Sequence, residues 1–205
     1  AVSLIFNEDN SSSLFSLNPQ LVDRDGSESL QLFVTNLPAG FTITDGSAGH
    51  TYTSTGISDL INLTNFNSLT LQITSPHDYS GTTFNADFIA RSTESNNITA
   101  DTHFQVAVTI NPIGDTPALT TSFTTVNEDT PGTLTINTQV QDTDGSETMT
   151  SLVVANIPVG VTIQLDAAHS FTATVGHTSI DLIAAGWVNS FNDLNNHSFT
   201  LQVIP

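Results

Sequence analysis

An internal repeat is the feature of this sequence that most constrains its fold. Asn7-Glu8-Asp9 recurs as Asn127-Glu128-Asp129, 120 residues later. Four further blocks recur in the same order: residues 23–28 with 142–147, 36–40 with 156–160, 50–53 with 169–172, and 69–73 with 199–203. A long repeat that is present twice predicts two modules of one fold.

The two copies differ in length. The first copy covers residues 1–113, residues 114–118 form a short linker, and the second copy covers residues 119–205. Pro112 and Pro117 stiffen the connecting segment, because proline fixes φ and disfavours helix in the residue before it. The second copy stops at a point equivalent to about Pro76, so it lacks its C-terminal third. Its remaining strands are expected downstream or on another chain, unless this copy closes its core differently.

Alternation of apolar and polar residues predicts the secondary structure. Leu30, Leu32 and Val34 alternate with Gln31, Phe33 and Thr35, and residues 104–110 and 199–203 follow the same period. Period two is typical of half-buried strands, and about seven short strands in roughly 100 residues are typical of an antiparallel β-sandwich. Only residues 181–188 fit either a helical turn or a buried strand. The predicted fold class is therefore all-β.

The charge balance excludes several kinds of partner. The 205 residues include 20 acidic residues, two arginines and no lysine, giving a formal net charge of −18. Nucleic acids and anionic membranes require Lys or Arg to neutralise phosphate, so neither is an expected partner. No apolar run approaches the ~20 residues that span a bilayer, so membrane insertion is not expected. Because there is no cysteine, disulfides and thiolate metal sites are excluded.

Most of the carboxylates fall in predicted turns or in the linker. They are Glu8, Asp9, Asp23, Asp25, Glu28, Asp78, Asp115, Glu128, Asp129, Asp142, Asp144 and Glu147. The repeated Asp-x-Asp-Gly-Ser-Glu turn gathers three of them within six residues, and Ca²⁺ takes six to eight oxygen ligands in flexible geometry. The spacing does not fit an EF-hand. Ordinary solvated Asp-Gly turns are the alternative interpretation.

Taken in order, these motifs resemble the tandem extender repeats of bacterial RTX adhesins. The resemblance rests on Asn-Glu-Asp, Asp-x-Asp-Gly-Ser-Glu, Asn-(Leu/Ile)-Pro-x-Gly, Leu-x-Leu-Gln, the Pro-x-Asp-Tyr-Ser-Gly of residues 76–81 and the Val-Thr-Ile-Asn-Pro of residues 108–112. It implies Ig-like or cadherin-like β-sandwiches in a row, with neighbouring repeats of the same chain as partners and Ca²⁺ at their junctions. It also implies secretion to the cell surface of a Gram-negative bacterium, where other parts of the full-length protein bind a host-cell or surface ligand.

The resemblance also implies a ligand set for calcium. At the junction of the two modules it points to Glu8, Asp78, Asn111 and Asp115 from the first copy and linker. Asp142 and Asp144 join them from the second copy, with Glu128 or Asp129 beside them. Asp23, Asp25 and Glu28 would face a preceding module, and Glu147 closes the equivalent second turn. Arg24 departs from the pattern, because it places a cation where the second copy has Thr143.

The function expected from these observations is a non-catalytic, calcium-stabilised extender segment of a large adhesin. None of the six histidines has a zinc-binding spacing, and Ser80-Gly81 lacks the Gly-x-Ser-x-Gly elbow, so an enzyme is not expected. One alternative is a β-sandwich that binds a glycan or peptide, or part of a split domain that hosts such a module. Another is a eukaryotic cadherin-like ectodomain, for which Asn10, Asn62, Asn97 and Asn196 would be glycosylation sites.

Overall fold

A computed structural model describes residues 2–23, 25–81, 83–124 and 126–205. The chain divides into two compact units, Ala1–Ile113 (unit 1) and Gly114–Pro205 (unit 2). Every regular element of the described residues is a β-strand, which confirms the predicted all-β class. Within the described ranges there is no helix with the length and apolar character to cross a membrane.

Unit 1 consists of two sheets. Its strands are β1 (Val2–Asn7), β2 (Phe15–Ser16), β3 (Glu28–Thr35), β4 (Thr42–Thr44), β5 (Thr51–Thr53), β6 (Ile61–Asn62), β7 (Thr70–Thr74), β8 (Thr83–Glu94) and β9 (Thr99–Asn111). One sheet has the order β1-β9-β8-β3-β6, and the other has the order β2-β7-β4-β5. Alternate residues of both sheets form one core, which includes the fully buried side chains of Val34, Leu71 and Val106.

The alternation fails at one position of β3. Phe33 was expected on the polar face of the strand, but its side chain is buried. The guanidinium of Arg91 on β8 lies 5.3 Å from the centre of the Phe33 ring. Asp101 holds that guanidinium through bonds of 2.7 and 2.8 Å. The apolar stem and the cation of Arg91 therefore cover an aromatic side chain on the outer face.

One strand pair departs from the predicted antiparallel arrangement. β1 pairs with β9 in parallel, with Val2 opposite Val106 and Asn7 opposite Asn111. Parallel strands end at the same edge of a sheet. As a result, the residue after β1, Glu8, lies beside the residues that follow β9.

Unit 2 repeats only part of this arrangement. Its strands are β10 (Ala118–Phe123), β11 (Gly132–Gln139), β12 (Val153–Val154), β13 (Thr162–Asp166), β14 (His169–Thr172), β15 (Ile180–Asp181) and β16 (His197–Ile204). They form one sheet with the order β10-β11-β16-β13-β14 and a separate pair, β12-β15. The larger sheet corresponds to β2-β7-β4-β5 with β10 added at its edge, and its core includes the fully buried Leu182 and Leu201.

Residues 181–188 form mainly a hydrogen-bonded turn, and only Asp181 of this segment belongs to a strand. The segment begins as β15 and continues as a hydrogen-bonded turn. The Asp181 carboxylate accepts the amides of Ile183 at 3.0 Å and Ala184 at 3.2 Å, as at the start of a helical turn. Trp187 follows this turn and packs, half-buried, against the core of unit 2.

Candidate functional site

Three acidic residues are buried as a whole among the described residues, and the side chain of Asp45 is also inaccessible to solvent. Glu8 is 2% exposed, Asp78 5% and Asp142 3%, and all three belong to the predicted set of calcium ligands. The sequence has no lysine, one arginine (Arg91) is bonded to Asp101, and the other (Arg24) lies outside the described residues. Burying a carboxylate is costly unless hydrogen bonds or a cation compensate its charge. Glu8, Asp78 and Asp142 are the least exposed of the predicted calcium ligands.

Glu8 holds the chain segment that leaves unit 1. Its backbone amide donates to the carbonyl of Asn111 at 3.0 Å, and its Oε1 accepts the amide of Ile113 at 2.5 Å. The parallel pairing of β1 and β9 produces this contact, because it brings the ends of the two strands together. Asn111, another predicted ligand, accepts this bond through its backbone carbonyl and is itself exposed to solvent.

Asp78 belongs to a second cluster at the end of unit 1. Its amide donates to Oδ1 of Asp9 at 3.0 Å, while Nδ1 of His77 contacts its carboxylate and lies 3.7 Å from Oδ1 of Asp9. One ligand atom from each of these three side chains lies within 4.8 Å of the others, and no other such group of three occurs in the part of the chain that the structure describes. Asp9 and Asp78 adopt φ of 58° and 55°, a left-handed conformation that Asp tolerates better than most residues.

The first acidic turn is exposed and internally hydrogen-bonded. Asp23 accepts the amide of Asp25 at 3.0 Å, and Asp25 accepts the amide of Ser27 at 2.8 Å. The hydroxyl and amide of Ser27 lower the pKa of Asp25. Partial burial, followed by the nearby carboxylate of Glu94, raises the pKa of Glu28. Glu28 and Glu94 lie directly opposite each other in the β3–β8 ladder, so like charges face each other at this end of the sheet.

The second acidic turn repeats these bonds around a buried carboxylate. Asp142 accepts the amide of Asp144 at 2.8 Å, Asp144 accepts the amide of Ser146 at 2.8 Å, and the Ser146 hydroxyl also donates to Asp142. Glu147, which follows the turn, accepts the backbone amide of Asp115. Unit 2 therefore holds its first residues through a carboxylate, as unit 1 holds its last residues through Glu8.

Glu128 and Asp129 lie in a turn with the same backbone conformation as their repeat partners, Glu8 and Asp9, but their side chains have different surroundings. The amide of Thr130 donates to the carbonyl of Asn127 at 3.2 Å, as Asn10 does to Asn7 at 3.3 Å, and Asp129 has a φ of 60°. Glu128 is exposed, however, whereas Glu8 is buried. The partners of Glu8 are the last residue of β9 and the segment just after it, and the described residues of unit 2 form no strand equivalent to β9.

Reasoning from the sequence missed three residues of these clusters. Asp9 was not among the predicted ligands although its repeat partner Asp129 was, so equal treatment of the two copies would have included it. His77 precedes Asp78 directly, and Glu94 lies in the late hairpin of the first copy. Arg24, which departs from the repeated pattern, lies outside the described residues.

Comparison with known proteins gives no independent assignment. No protein-family model matches this sequence, and no curated protein sequence is significantly similar to it.

Proposed function

We propose that this chain is a non-catalytic, calcium-stabilised extender segment of a large bacterial surface adhesin. The observation that carries the proposal is the burial of Glu8, Asp78 and Asp142 in a sequence with no lysine. Clustered carboxylate and carbonyl oxygens are the ligands that Ca²⁺ prefers, and Mg²⁺ demands a stricter octahedron.

Calcium would act by ordering the chain that connects the two units. Glu8 already accepts the amide of Ile113 within unit 1, and Glu147 accepts the amide of Asp115 within unit 2. These amides flank Gly114, so an ion bound by the carboxylates of either unit restrains the segment next to it. Rigidity at each junction of a row of repeats is what an extender needs to project a distal ligand-binding region.

The histidines support a structural role. His50, His103, His169 and His197 each lie within 3.0 Å of an aspartate carboxylate. The Asp45–His50 and Asp166–His169 pairs occupy equivalent hairpins of the two units. A pair that recurs with the fold fits a hairpin contact better than a unique catalytic group.

The cellular part of the proposal rests on the resemblance to adhesin repeats. It places the chain outside a Gram-negative cell, with neighbouring repeats as partners and a host-cell or surface ligand bound elsewhere in the full-length protein. Extracellular calcium modules function with Kd values of about 0.1–1 mM, so weak sites would still be filled there.

Thermal unfolding and small-angle scattering, each in calcium and in EGTA, test the proposal. At a calcium concentration one hundred times Kd, binding adds about 2.7 kcal/mol to the free energy of unfolding. We expect a higher Tm and a larger, better-defined maximum dimension with calcium. Magnesium at the same concentration is the control and should have a smaller effect. Equal Tm and equal dimensions in calcium and EGTA would show that the acidic turns are ordinary solvated loops.

A further inference from the structure

β12 of unit 2 has one edge to which no described strand is bonded. β12 pairs only with β15, through Val153 opposite Asp181 and Val154 opposite Ile180. The equivalent pairs in unit 1 are Phe33 with Asn62 and Val34 with Ile61, between β3 and β6. In unit 1 the other edge of β3 is paired along all eight residues with β8. β12 is only two residues long, and both of its residues pair with β15.

The uncovered edge exposes apolar surface that is covered in unit 1. Phe33 is 8% exposed, whereas its counterpart Val153 is 54% exposed. The main core of unit 1 contains 17 buried residues, against eight in unit 2. Five of the 17 come from β8 and β9: Ala86, Phe88, Val106, Val108 and Ile110. An unpaired strand edge beside exposed apolar side chains is a docking site for another strand.

Neither β10 nor the acidic segment after it covers this edge. β10 pairs with β11 in the other sheet, with Phe123 opposite Leu134. Glu128 remains exposed, whereas in unit 1 the chain that follows β9 covers Glu8. The open edge of β12 and the exposed Glu128 are therefore two separate signs that the same element of unit 1 has no counterpart among the described residues of unit 2.

We propose that the free edge of β12 docks an antiparallel β-hairpin of the β8–β9 type. Its first strand would pair antiparallel with β12 and supply apolar side chains to the core at alternate positions, as Ala86 and Phe88 do. Its second strand would supply the larger share, as Val106, Val108 and Ile110 do, and the residues after it would cover Glu128. In unit 1 the corresponding hairpin, β8–β9, follows β7, the counterpart of β16. Binding of this kind is strand addition to a sheet edge.

A hairpin fits the surface better than a single strand. Three of the five core residues supplied in unit 1 come from β9, which is separated from β3 in the sheet by β8. The segment that covers Glu8 also follows β9. A single strand on β12 would not supply the core residues that β9 contributes in unit 1, and it would not cover Glu128.

Val153 is the residue of β12 whose backbone faces the free edge. The amide of Leu152 donates to the side-chain Oδ1 of Asp181 at 3.1 Å, and the carbonyl of Leu152 accepts the amide of Leu182 at 2.8 Å. The backbone polar groups of Leu152 therefore face β15. Because successive residues of a strand direct their amides to opposite edges, the amide of Val153 faces away from β15. Val153→Pro removes that amide and is tolerated on an edge strand, so it blocks pairing without repacking the core.

The experiment adds a second copy of residues 77–111 after Pro205 of the full chain. Hydrogen exchange at the amides of Ser151, Val153 and Ala155 and the Tm of unit 2 are measured with and without the added hairpin. We expect exchange to slow at least tenfold and the Tm to rise. A matched control carries Phe88→Asp and Val106→Asp in the added copy only, and it should show neither effect.

Two further variants test whether the gain in Tm depends on pairing at the free edge of β12. Val153→Pro should abolish the gain in Tm from the added hairpin, while Val175→Asp, at an exposed position of the β14–β15 connection, should leave it intact. No protection at these amides, or a gain that survives Val153→Pro, would overturn the proposal. Concentration-dependent protection of the unmodified chain, together with a dimer in sedimentation, would also overturn it and would identify a second copy as the occupant.

Discussion

Glu8 and Glu128 offer a matched comparison of one residue type in two surroundings. Glu8→Gln keeps the shape of the side chain and an oxygen for the amide of Ile113 but removes a buried charge. We expect the variant to melt higher than the unmodified chain in EGTA and lower in saturating calcium, with calcium affinity reduced at least tenfold. Glu128→Gln should change the curve in EGTA little, because Glu128 is exposed. Melting curves of both variants with and without calcium provide the check, and a shift of equal sign in the two conditions would contradict it.

Asp45 is a carboxylate whose contribution to stability is expected to depend on pH. It accepts the amides of Ser47 at 2.8 Å and Asn67 at 2.7 Å and lies 3.0 Å from Nδ1 of His50. Burial alone would raise the pKa of Asp45, but these hydrogen bonds, with one from Ser68, hold it well below its ordinary value. A lowered pKa in the folded state stabilises the fold above the unfolded-state pKa of about 3.9, and this contribution is lost as the pH falls further.

Asp45→Asn should therefore destabilise unit 1 at pH 6, and the difference from the unmodified chain should shrink towards pH 3. Urea unfolding at the two pH values measures it. Asp166→Asn, in the equivalent hairpin of unit 2, is the control and should have a smaller effect because Asp166 is more than half exposed. A difference that stays constant with pH would show that the hydrogen bonds of Asp45, and not its charge, stabilise the hairpin.

Individual buried carboxylates were predictable from the sequence, but their groupings were not. Glu8 and Asp142 lie in repeated motifs, and Asp78 lies in the Pro-x-Asp-Tyr-Ser-Gly motif of the first copy, so motif and residue type were sufficient to select them. The approach of Glu94 to Glu28 depends on the register of β3 against β8, which no local pattern fixes. The contact of Glu8 with Ile113 depends on parallel pairing across more than one hundred residues.

At the scale of elements, Gly132 and Phe123 fix β10 on β11. A Cβ on Gly132 would lie 2.5 Å from Cζ of Phe123, so the ring rests on the bare backbone of β11. Gly132→Ala should displace the ring and speed hydrogen exchange of residues 118–123. Phe123→Ala alone also loses the contact, but adding Gly132→Ala to it should cost little further stability, so the pair should be strongly non-additive. Gly56→Ala is the control, because nothing lies within 4 Å of its added Cβ. Additive effects would show that the contact does not hold β10.

Strand length is set by the partner as much as by the local pattern. β3 and β12 are repeat equivalents, yet one has eight residues and the other has two. Periodicity identifies residues able to form a strand, but a strand also needs a neighbour for its amides and carbonyls. Alternation was therefore sufficient to predict the all-β class. It was not sufficient to predict the parallel pairing of β1 or the position of β10 in unit 2.

At the scale of the whole molecule, the unequal cores predict unequal stability. Unit 1 has 17 residues in its main buried core and unit 2 has eight, and hydrophobic stabilisation grows with the apolar area removed from water. We therefore expect two thermal transitions in EGTA, with unit 2 unfolding at the lower temperature. Leu71 and Leu201 assign them, because they are repeat equivalents on β7 and β16 and both are fully buried.

Replacement of either leucine by alanine should cost about 2–5 kcal/mol in its own unit. Leu201→Ala should lower only the first transition, and Leu71→Ala only the second, as followed by scanning calorimetry. A single transition that both variants lower equally would mean that the two units unfold as one cooperative body.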